Sequence, residues 1–201
     1  MTYAGLFIVA FFLGSIPFGV LVSRAFYNRD IRKSGSGNIG AMNALRSLGK
    51  RGAVAVLLLD AAKGVIPAAL VVHFFGLEAG AIVAAAAILG HCFSPWLKFK
   101  GGKGVATSLG ALFALCWPAG VVAVLGWLAG ALTTTYSSVG SILAHLVAPF
   151  ALWYFTRNPW LTGYGVLAAL LILYTHRENI ARLRNGQEQG ISFLRRNGRG
   201  S

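Results

Sequence analysis

The chain has 201 residues, of which 56% are hydrophobic and 11% are charged, whereas a soluble domain carries about 25% charged residues. This composition argues against a soluble domain and favours bilayer-spanning helices, each of which needs about 20 apolar residues. The net charge of +13 is typical of a membrane protein with positively charged cytoplasmic loops, and it would also attract an anionic lipid or substrate. No recognisable nucleic-acid-binding module accompanies this charge, so we do not expect nucleic acid as a partner.

Seven apolar stretches follow one another along the chain and predict seven transmembrane helices. They are residues 3–23, 53–75, 79–97, 105–116, 118–136, 139–155 and 159–175. The first stretch has no basic start and no small-residue cleavage site, so we interpret it as a retained helix rather than a signal peptide. The expected fold is therefore one all-α integral membrane domain over residues 1–201.

The distribution of Lys and Arg predicts how these helices are oriented. With the N-terminus outside, seven crossings place the loops 24–52 and 98–104 and the tail 176–201 inside. All but two of the 18 Lys and Arg residues then lie on the inside, the exceptions being Lys63 within a span and Arg157 in an outside loop. Because cytoplasmic loops are enriched in these residues, we expect the C-terminus and the three loops to be cytoplasmic.

The first of these loops contains a Gly-rich segment, SGSGNIGAMNALR, over residues 34–46. It contains G-x-G-x-x-G, but a membrane helix rather than a β-strand precedes it, so we reject a dinucleotide site. Glycines in such turns let backbone N–H groups approach an anion, and an Arg binds phosphate with two N–H groups. The candidate ligands are Ser36, Gly37, Asn38, Gly40, Asn43 and Arg46. The alternative is a solvated loop whose charges only set the topology.

The second loop places Lys103 between two glycines immediately before a predicted helix. Free N–H groups, the helix dipole and an ammonium group at such a position together favour phosphate binding. The spacing differs from a Walker A motif, and the preceding strand is missing. The candidate ligands are Gly101, Gly102, Lys103, Gly104 and Thr107. Ordinary topology-setting lysines would explain the charge but not the flanking glycines.

The third segment, HRENIARLRNG, begins at the inner end of the last predicted span. His176 and Asn179 are three residues apart and therefore share a helical face. A histidine is the usual general base near neutral pH, although a histidine at a helix C-terminus is also a favourable charge on the helix dipole.

Other polar residues within the spans have structural explanations. Asp60 and Lys63 are three residues apart and are expected to neutralise each other. His91 is placed to orient the second loop, whereas His73 and His145 are expected near an interface or in the core. The five acidic residues form no cluster for two metal ions, and no Ser–His–Asp arrangement is visible. We therefore expect a site without metal or cofactor, which acts by proximity and electrostatics.

These three segments resemble the motifs of the bacterial membrane glycerol-3-phosphate acyltransferases that use acyl phosphate as donor. The family patterns GSGNxGxTNxxR, GHxF…FKGGKGVAT and HRxNIxRLxxGxE match residues 35–46, 90–107 and 176–188. The resemblance implies transfer of a fatty acyl group from acyl phosphate to the 1-hydroxyl of sn-glycerol 3-phosphate, giving lysophosphatidic acid and phosphate. It also implies a site at the cytoplasmic face of the bacterial inner membrane and an upstream enzyme that forms acyl phosphate.

The resemblance assigns roles to individual residues. Ser36, Arg46 and Lys103 would bind phosphate, and His176 and Asn179 would hold glycerol phosphate. Because the leaving phosphate can accept the proton, we expect His176 to orient the substrate rather than to act as a base.

The chain departs from the family pattern at three places, all at the expected rim of the site. Met42 stands where the family usually has Thr, the proline of the second motif is shifted to Pro95, and Gln189 and Gly190 replace a usual lysine.

Two other functions also fit a basic membrane protein. An organic-phosphate transporter would place its site near the bilayer midplane between repeats, whereas the candidate residues here lie at one face. A structural subunit that binds anionic lipid would need neither the glycines around Lys103 nor the pairing of His176 with Asn179.

Overall fold

The computed structural model describes residues 2–191, and this part of the chain is helical without any β-strand. The α-helices are α1 (Tyr3–Gly14), α2 (Phe18–Tyr27), α3 (Ala41–Cys92), α4 (Val105–Leu115), α5 (Trp117–Thr134), α6 (Ser137–Thr156), α7 (Pro159–Thr175) and α8 (Arg177–Arg184). Short 3₁₀ turns cover Ile31–Lys33 and Pro95–Leu97.

The first predicted span is two helices rather than one, because the chain breaks between α1 and α2. Pro17 lacks a backbone N–H and clashes with the preceding turn, so the α1 ladder ends before it. Side chains from α3 and the following turn satisfy carbonyl groups that the break exposes. Ser94 Oγ donates to Ser15 O over 2.7 Å, and Lys63 Nζ donates to Ile16 O over 2.9 Å.

Helix α3 has 52 residues, more than one bilayer crossing needs, and it folds back on itself at Gly76. Asp60 Oδ1 and His91 Nδ1 lie 3.6 Å apart, whereas a straight helix would separate these residues by about 47 Å. Gly76 adopts φ 84° and ψ 177°, a backbone conformation that is essentially restricted to glycine. A second non-helical residue, Gly49 (φ 81°), separates residues 41–48 from the rest of α3.

Small residues allow the helices of the bundle to pack closely. The main core contains many alanines, together with larger side chains such as Ile88, Leu152 and Ile172. A Cβ on Gly64 of α3 would collide with the carbonyl of Thr107 in α4, so this crossing requires glycine. Close approach over small residues is the usual way in which membrane helices associate.

The outer surface of the bundle is apolar, as expected for contact with lipid. Phe74 and Phe150, for example, are 70% and 76% exposed. The described residues include four helical segments long and apolar enough to cross a membrane: Tyr3–Tyr27, Ala41–Leu97, Trp117–Thr134 and Ser137–Thr156. Helices α4 and α7 are apolar but shorter.

Candidate active site

A cavity of about 700 Å³ opens at one end of the bundle, where the three Gly-rich or polar segments converge. Its wall is polar near the loops and apolar along α3, α4 and α5. The apolar wall consists of Leu57, Val105, Leu109, Val124 and Trp127. The cavity therefore combines a site for a polar ligand with space for an apolar one.

Eight of the residues predicted from the sequence line this cavity. They are Ser36, Asn38, Gly40, Asn43, Arg46, Lys103, His176 and Asn179. Gly37, Gly101, Gly102, Gly104 and Thr107 are not among the lining residues.

A chain of hydrogen bonds connects the second and third segments. Lys103 Nζ donates to Asn179 Oδ1, and Asn179 Nδ2 donates to Glu188 Oε1 over 2.5 Å. Glu188 also accepts from Ser138 Oγ over 2.8 Å and from Arg182 Nε over 2.8 Å. The Asn179 amide is thereby fixed, with its oxygen towards the ammonium group of Lys103.

Charge and burial determine the protonation of this network. Burial has the largest effect on Lys103; together with the nearby charges of Arg182 and Arg46, and against the opposing charge of Glu188, it lowers the pKa of this lysine to about 8. Burial alone would raise the pKa of Glu188, but hydrogen bonds from Asn179, Arg182 and Ser138 leave this pKa below its usual value. At neutral pH the site thus contains an ionised Glu188 and a largely protonated Lys103 that is sensitive to a bound anion.

His176 occupies the junction between α7 and α8 and is only 3% exposed. Its Nδ1 lies 2.9 Å from Ile172 O, and because a carbonyl only accepts, Nδ1 carries the proton. Burial, reinforced by the charge of Lys103, lowers the pKa of His176 to about 3. The ring is therefore neutral at pH 7, with Nε2 as its hydrogen-bond acceptor.

Asn43 lines the cavity, and its side-chain amide organises the first loop. Its Oδ1 accepts from Ser36 N over 2.8 Å, and its Nδ2 donates to the carbonyl groups of Ile31, Ser34 and Asn38 over 2.7–3.1 Å. These bonds occupy both N–H groups of the amide. The Asn43 amide therefore shapes the loop, and its expected role as a direct phosphate ligand stays a prediction.

The glycines of the second loop also have a structural role. Gly101 N donates to Cys92 O and Gly102 N to His91 O, each over 3.0 Å, so these two N–H groups are not directed at a ligand. Thr107 is fully buried against α3 and does not reach the cavity.

The N-terminus of α4 lies at the cavity wall without a side-chain cap. Gly104 is the N-cap in the left-handed region (φ 87°), and Val105 and Ala106 line the cavity. The first N–H groups of a helix have no partner within the helix, and together with the dipole they attract anions. Lys103 therefore stands beside a group of donors suited to phosphate.

Arg46 and Ser36 lie at the exposed mouth of the cavity. Arg46 Nη2 donates to Gln189 O over 3.1 Å, so the guanidinium also contacts the segment that follows α8. A guanidinium has five N–H groups, and within residues 2–191 this is the one hydrogen bond that Arg46 donates from its side chain, so other N–H groups can bind a ligand.

Sequence reasoning did not nominate Glu188, Arg182, Ser138 and Ser141, which also line the cavity. Glu188 is the last residue of the third motif, which was the available signal. Its approach to Asn179 depends on a chain reversal at Gly186 (φ 67°). Among residues 2–191, no group of three or more His, Cys, Asp or Glu side chains is arranged to hold a metal ion.

Comparison with known proteins gives consistent matches over almost the whole chain. A family model described as glycerol-3-phosphate acyltransferase matches residues 4–186. Glycerol-3-phosphate acyltransferase of Bradyrhizobium diazoefficiens is 46% identical over 184 residues, which cover 92% of each chain. The protein of the same name from Gluconobacter oxydans is 47% identical over 192 residues, covering 92% of this chain and 90% of that one.

Two solved structures also match over almost the whole chain. The crystal structure of PlsY (YgiH), an integral membrane glycerol 3-phosphate acyltransferase, in its glycerol 3-phosphate form has a TM-score of 0.91 and 38% identity, covering 96% of this chain and 98% of that one. Its lysophosphatidic acid form has a TM-score of 0.88 and 37% identity, covering 95% and 96%.

Proposed function

The chain belongs to the glycerol-3-phosphate acyltransferase family, and from this premise we propose how its cavity performs the reaction. It is an integral membrane enzyme that acylates glycerol 3-phosphate to lysophosphatidic acid in phospholipid biosynthesis. The finer features, namely the acyl donor, the roles of the residues and the orientation in the membrane, constitute the proposal.

The donor is an acyl phosphate. The observation that carries this assignment is the meeting of Lys103, the uncapped N-terminus of α4 and Arg46 in one cavity. Two phosphate-bearing substrates need such a concentration of positive charge and N–H donors, because their mutual repulsion has to be neutralised. An acyl phosphate is also activated, so the enzyme needs no nucleophilic side chain.

The reaction is a direct acyl transfer. A hydroxyl oxygen of glycerol 3-phosphate attacks the carbonyl carbon of the acyl phosphate, and the bond between that carbon and the phosphate oxygen breaks. The hydroxyl proton passes to the leaving phosphate. The products are lysophosphatidic acid and inorganic phosphate.

The side chains position the two substrates for this attack. Lys103 and the N–H groups of α4 bind one phosphate, and Arg46 and Ser36 at the mouth bind the other. Asn179, which Glu188 holds in place, and His176 bind the glycerol hydroxyls. Bringing the reacting atoms together in this way supplies much of the rate enhancement.

His176 orients the acceptor and does not remove its proton. A ring with a pKa of about 3 is a weak base at pH 7, but its Nε2 accepts a hydrogen bond from a hydroxyl group. His176 thus orients the hydroxyl group, and the leaving phosphate accepts its proton.

The acyl chain occupies the apolar part of the cavity between α3, α4 and α5. Leu57, Leu109 and Val124 form its wall, and Trp127 lies further along α5. Burial of methylene groups against these side chains contributes to donor affinity by about 0.8 kcal/mol each.

The orientation is N-terminus outside and C-terminus in the cytoplasm, with seven crossings. The reversal at Gly76 supports two crossings within α3, and α4 and α7 supply the two shorter ones. The positive-inside rule supports a cytoplasmic active site in the bacterial inner membrane, where an upstream acyl-phosphate-forming enzyme would supply the donor.

An acyltransferase accounts for these findings better than an organic-phosphate transporter. The family relationship identifies an acyltransferase, and the polar part of the cavity lies at one end of the bundle.

The donor is tested with purified protein in lipid, supplied with glycerol 3-phosphate and palmitoyl phosphate, palmitoyl-coenzyme A or a palmitoylated carrier protein. We expect lysophosphatidic acid only with palmitoyl phosphate, together with one phosphate released per product. Product formation from the thioesters at a comparable rate would contradict the proposed donor.

A further inference from the structure

Three ionisable side chains are buried together next to the second loop: Asp60, Lys63 and His91. Lys63 Nζ lies 2.8 Å from Asp60 Oδ1, and His91 Nδ1 lies 3.6 Å from the same oxygen. Lys63 is 6% exposed, Asp60 is 1% exposed and His91 is 4% exposed. Asp60 and His91 also line the cavity. The proposed reaction uses none of the three.

Lys63 fixes Asp60 rather than merely neutralising it. Its ammonium group contacts Asp60 and also donates to Ile16 O at the break between α1 and α2. The carboxylate is therefore held between two elements, in a place where an isolated charge would be costly.

His91 faces Asp60 on one side and the Gly-rich turn on the other. Among the described residues, its Nδ1 has no hydrogen-bond partner, and the Asp60 carboxylate, which also contacts the Lys63 ammonium group, lies beside it. A Cβ on Gly102 would collide with the His91 ring, and Gly102 N donates to His91 O over 3.0 Å. The imidazole thus packs directly against the residue that precedes Lys103.

From these contacts we infer that Asp60 and His91 are positioning residues for the turn Gly101–Gly104. Asp60 orients the His91 ring, and the ring and backbone of His91 hold Gly102 so that Lys103 and the N-terminus of α4 face the cavity. The inference rests on the proposed phosphate-binding role of Lys103. It assigns to the Asp60–Lys63 pair a function beyond charge neutralisation.

The physical reason is that binding by oriented donors depends on their placement. A displacement of about 1 Å reduces catalysis by up to about 100-fold. Loss of the Asp60–His91 contact releases the ring, and the ring is the support for Gly102. The phosphate-binding step should suffer more than the chemical step.

The first test compares two replacements that each keep one nitrogen of the ring. The side-chain amide of His91→Asn can place a nitrogen near the Nδ1 position, whereas that of His91→Gln reaches the Nε2 position. Because the positioning role needs both the contact with Asp60 and the contact with Gly102, we expect each variant to raise the KM for glycerol 3-phosphate and the inhibition constant of inorganic phosphate by about 10- to 100-fold, with a smaller change in kcat.

The exposed His73, at the opposite end of the same helix pair, provides the control. His73→Gln should leave both constants unchanged, and thermal unfolding in detergent should show whether each variant is folded. Unchanged constants in folded His91→Asn or His91→Gln, or a loss confined to kcat, would overturn the positioning role.

A second test approaches the same contact from Gly102 and remains available if His91→Gln does not fold. Gly102→Ala should raise the KM by about tenfold in the presence of His91, because the new methyl group meets the ring. In a His91→Ala background, Gly102→Ala should raise the KM by less than about threefold. Additive effects would overturn the inference.

The two proposals fail in different ways. Normal phosphate affinity in Lys103→Ala would refute the proposed function. Impaired affinity in Lys103→Ala, together with unchanged constants in a folded His91 variant, would refute only the positioning role of Asp60 and His91.

Discussion

At the scale of single residues, Asn179 is the connection between the positive and negative charges of the site. Its oxygen accepts from Lys103, and its nitrogen donates to Glu188. An amide is suited to this position because one side chain supplies both an acceptor and a donor. A carboxylate there would face Glu188 without a proton between them.

Asn179→Asp should therefore reduce kcat/KM by about 100-fold or more, because the donor to Glu188 is lost and two carboxylates repel each other. Steady-state phosphate release measures the effect. Glu178→Gln, which changes an exposed acid one position earlier, is the matched control. Activity within about threefold of the unmodified enzyme would contradict the assigned network.

Lys103 makes the activity dependent on pH. Its pKa is lowered to about 8, so the cation that binds phosphate is present below pH 8 and is lost as the pH rises through that value. We expect kcat/KM, which reports the free enzyme, to fall above about pH 8. In Lys103→Arg this limb should move to higher pH, since Arg stays protonated. If an active Lys103→Arg variant still lost kcat/KM at the same pH, a group other than Lys103 would be responsible for the fall.

His176 should give no corresponding acidic limb near neutral pH. With a pKa of about 3 the ring remains neutral above that value, so its titration leaves kcat/KM flat between pH 5 and 7. His176→Gln, which keeps a polar group, should lose about tenfold or less if the ring only orients the acceptor. A loss beyond about 10⁴ with normal substrate binding would indicate a general base.

Residue types and their position at the ends of apolar stretches were sufficient to predict Lys103, His176 and Asn179 as neighbours in one cavity. They were insufficient for Asn43, because spacing does not tell whether an amide faces the loop's own carbonyl groups or the ligand. Glu188 was missed because its approach depends on the reversal at Gly186 and on a contact with Ser138 from another helix.

At the scale of helices, hydropathy identified the apolar segments but not their internal breaks. The predicted span 159–175 coincides with α7, and the predicted span 105–116 nearly coincides with α4. The interruption before α2 was not predicted, because Pro17 lies inside a continuous apolar run. Likewise, the helix that includes the second span begins at Ala41, within the loop that was expected to contain the phosphate ligands.

Lys63 and Asp60 should stabilise the bundle only as a pair. Lys63→Met leaves a buried carboxylate and an unpaired Ile16 carbonyl, and we expect it to destabilise the protein by about 3–5 kcal/mol. The double variant Asp60→Asn/Lys63→Met should recover most of this loss, as measured by thermal unfolding in detergent. Equal stability of the single and double variants would indicate that the ion pair does not determine the stability of this region.

Gly76 is required by its backbone conformation rather than by lack of space. Apart from the adjoining backbone, no atom of residues 2–191 lies within 4 Å of a Cβ placed there, but φ is 84° and ψ is 177°. Gly76→Ala should cost about 1–3 kcal/mol in unfolding free energy. Gly163 in α7 has equal space and no positive φ, so Gly163→Ala should be neutral or slightly stabilising. If Gly76→Ala and Gly163→Ala changed the unfolding free energy equally, the backbone at Gly76 would not be under the proposed strain.

At the scale of the whole molecule, the fold places a polar site for the phosphate groups beside an apolar wall for the acyl chain. Polar residues from three distant parts of the sequence meet at one end of the bundle, and the adjoining apolar wall accepts the chain of the donor. The order of the apolar segments predicted the all-helical class, whereas the depth and lining of the cavity depend on side-chain packing between α3, α4 and α5.

The proposed orientation is tested in spheroplasts that carry single cysteines in a background without Cys92 and Cys116. A membrane-impermeant maleimide should label a cysteine at Arg157 from outside, and a cysteine at Lys100 only after the membrane is opened. The opposite pattern would place the site on the outer face.

The central claim, that this cavity transfers an acyl group between two phosphate-bearing substrates, is tested most directly by product formation in purified variants. With glycerol 3-phosphate and palmitoyl phosphate, the unmodified enzyme should release lysophosphatidic acid and phosphate in equal amounts. Lys103→Ala should abolish both, whereas Lys100→Ala, an exposed lysine of the same loop outside the cavity, should retain them. Full activity in Lys103→Ala, or no product from the folded unmodified enzyme, would contradict the account.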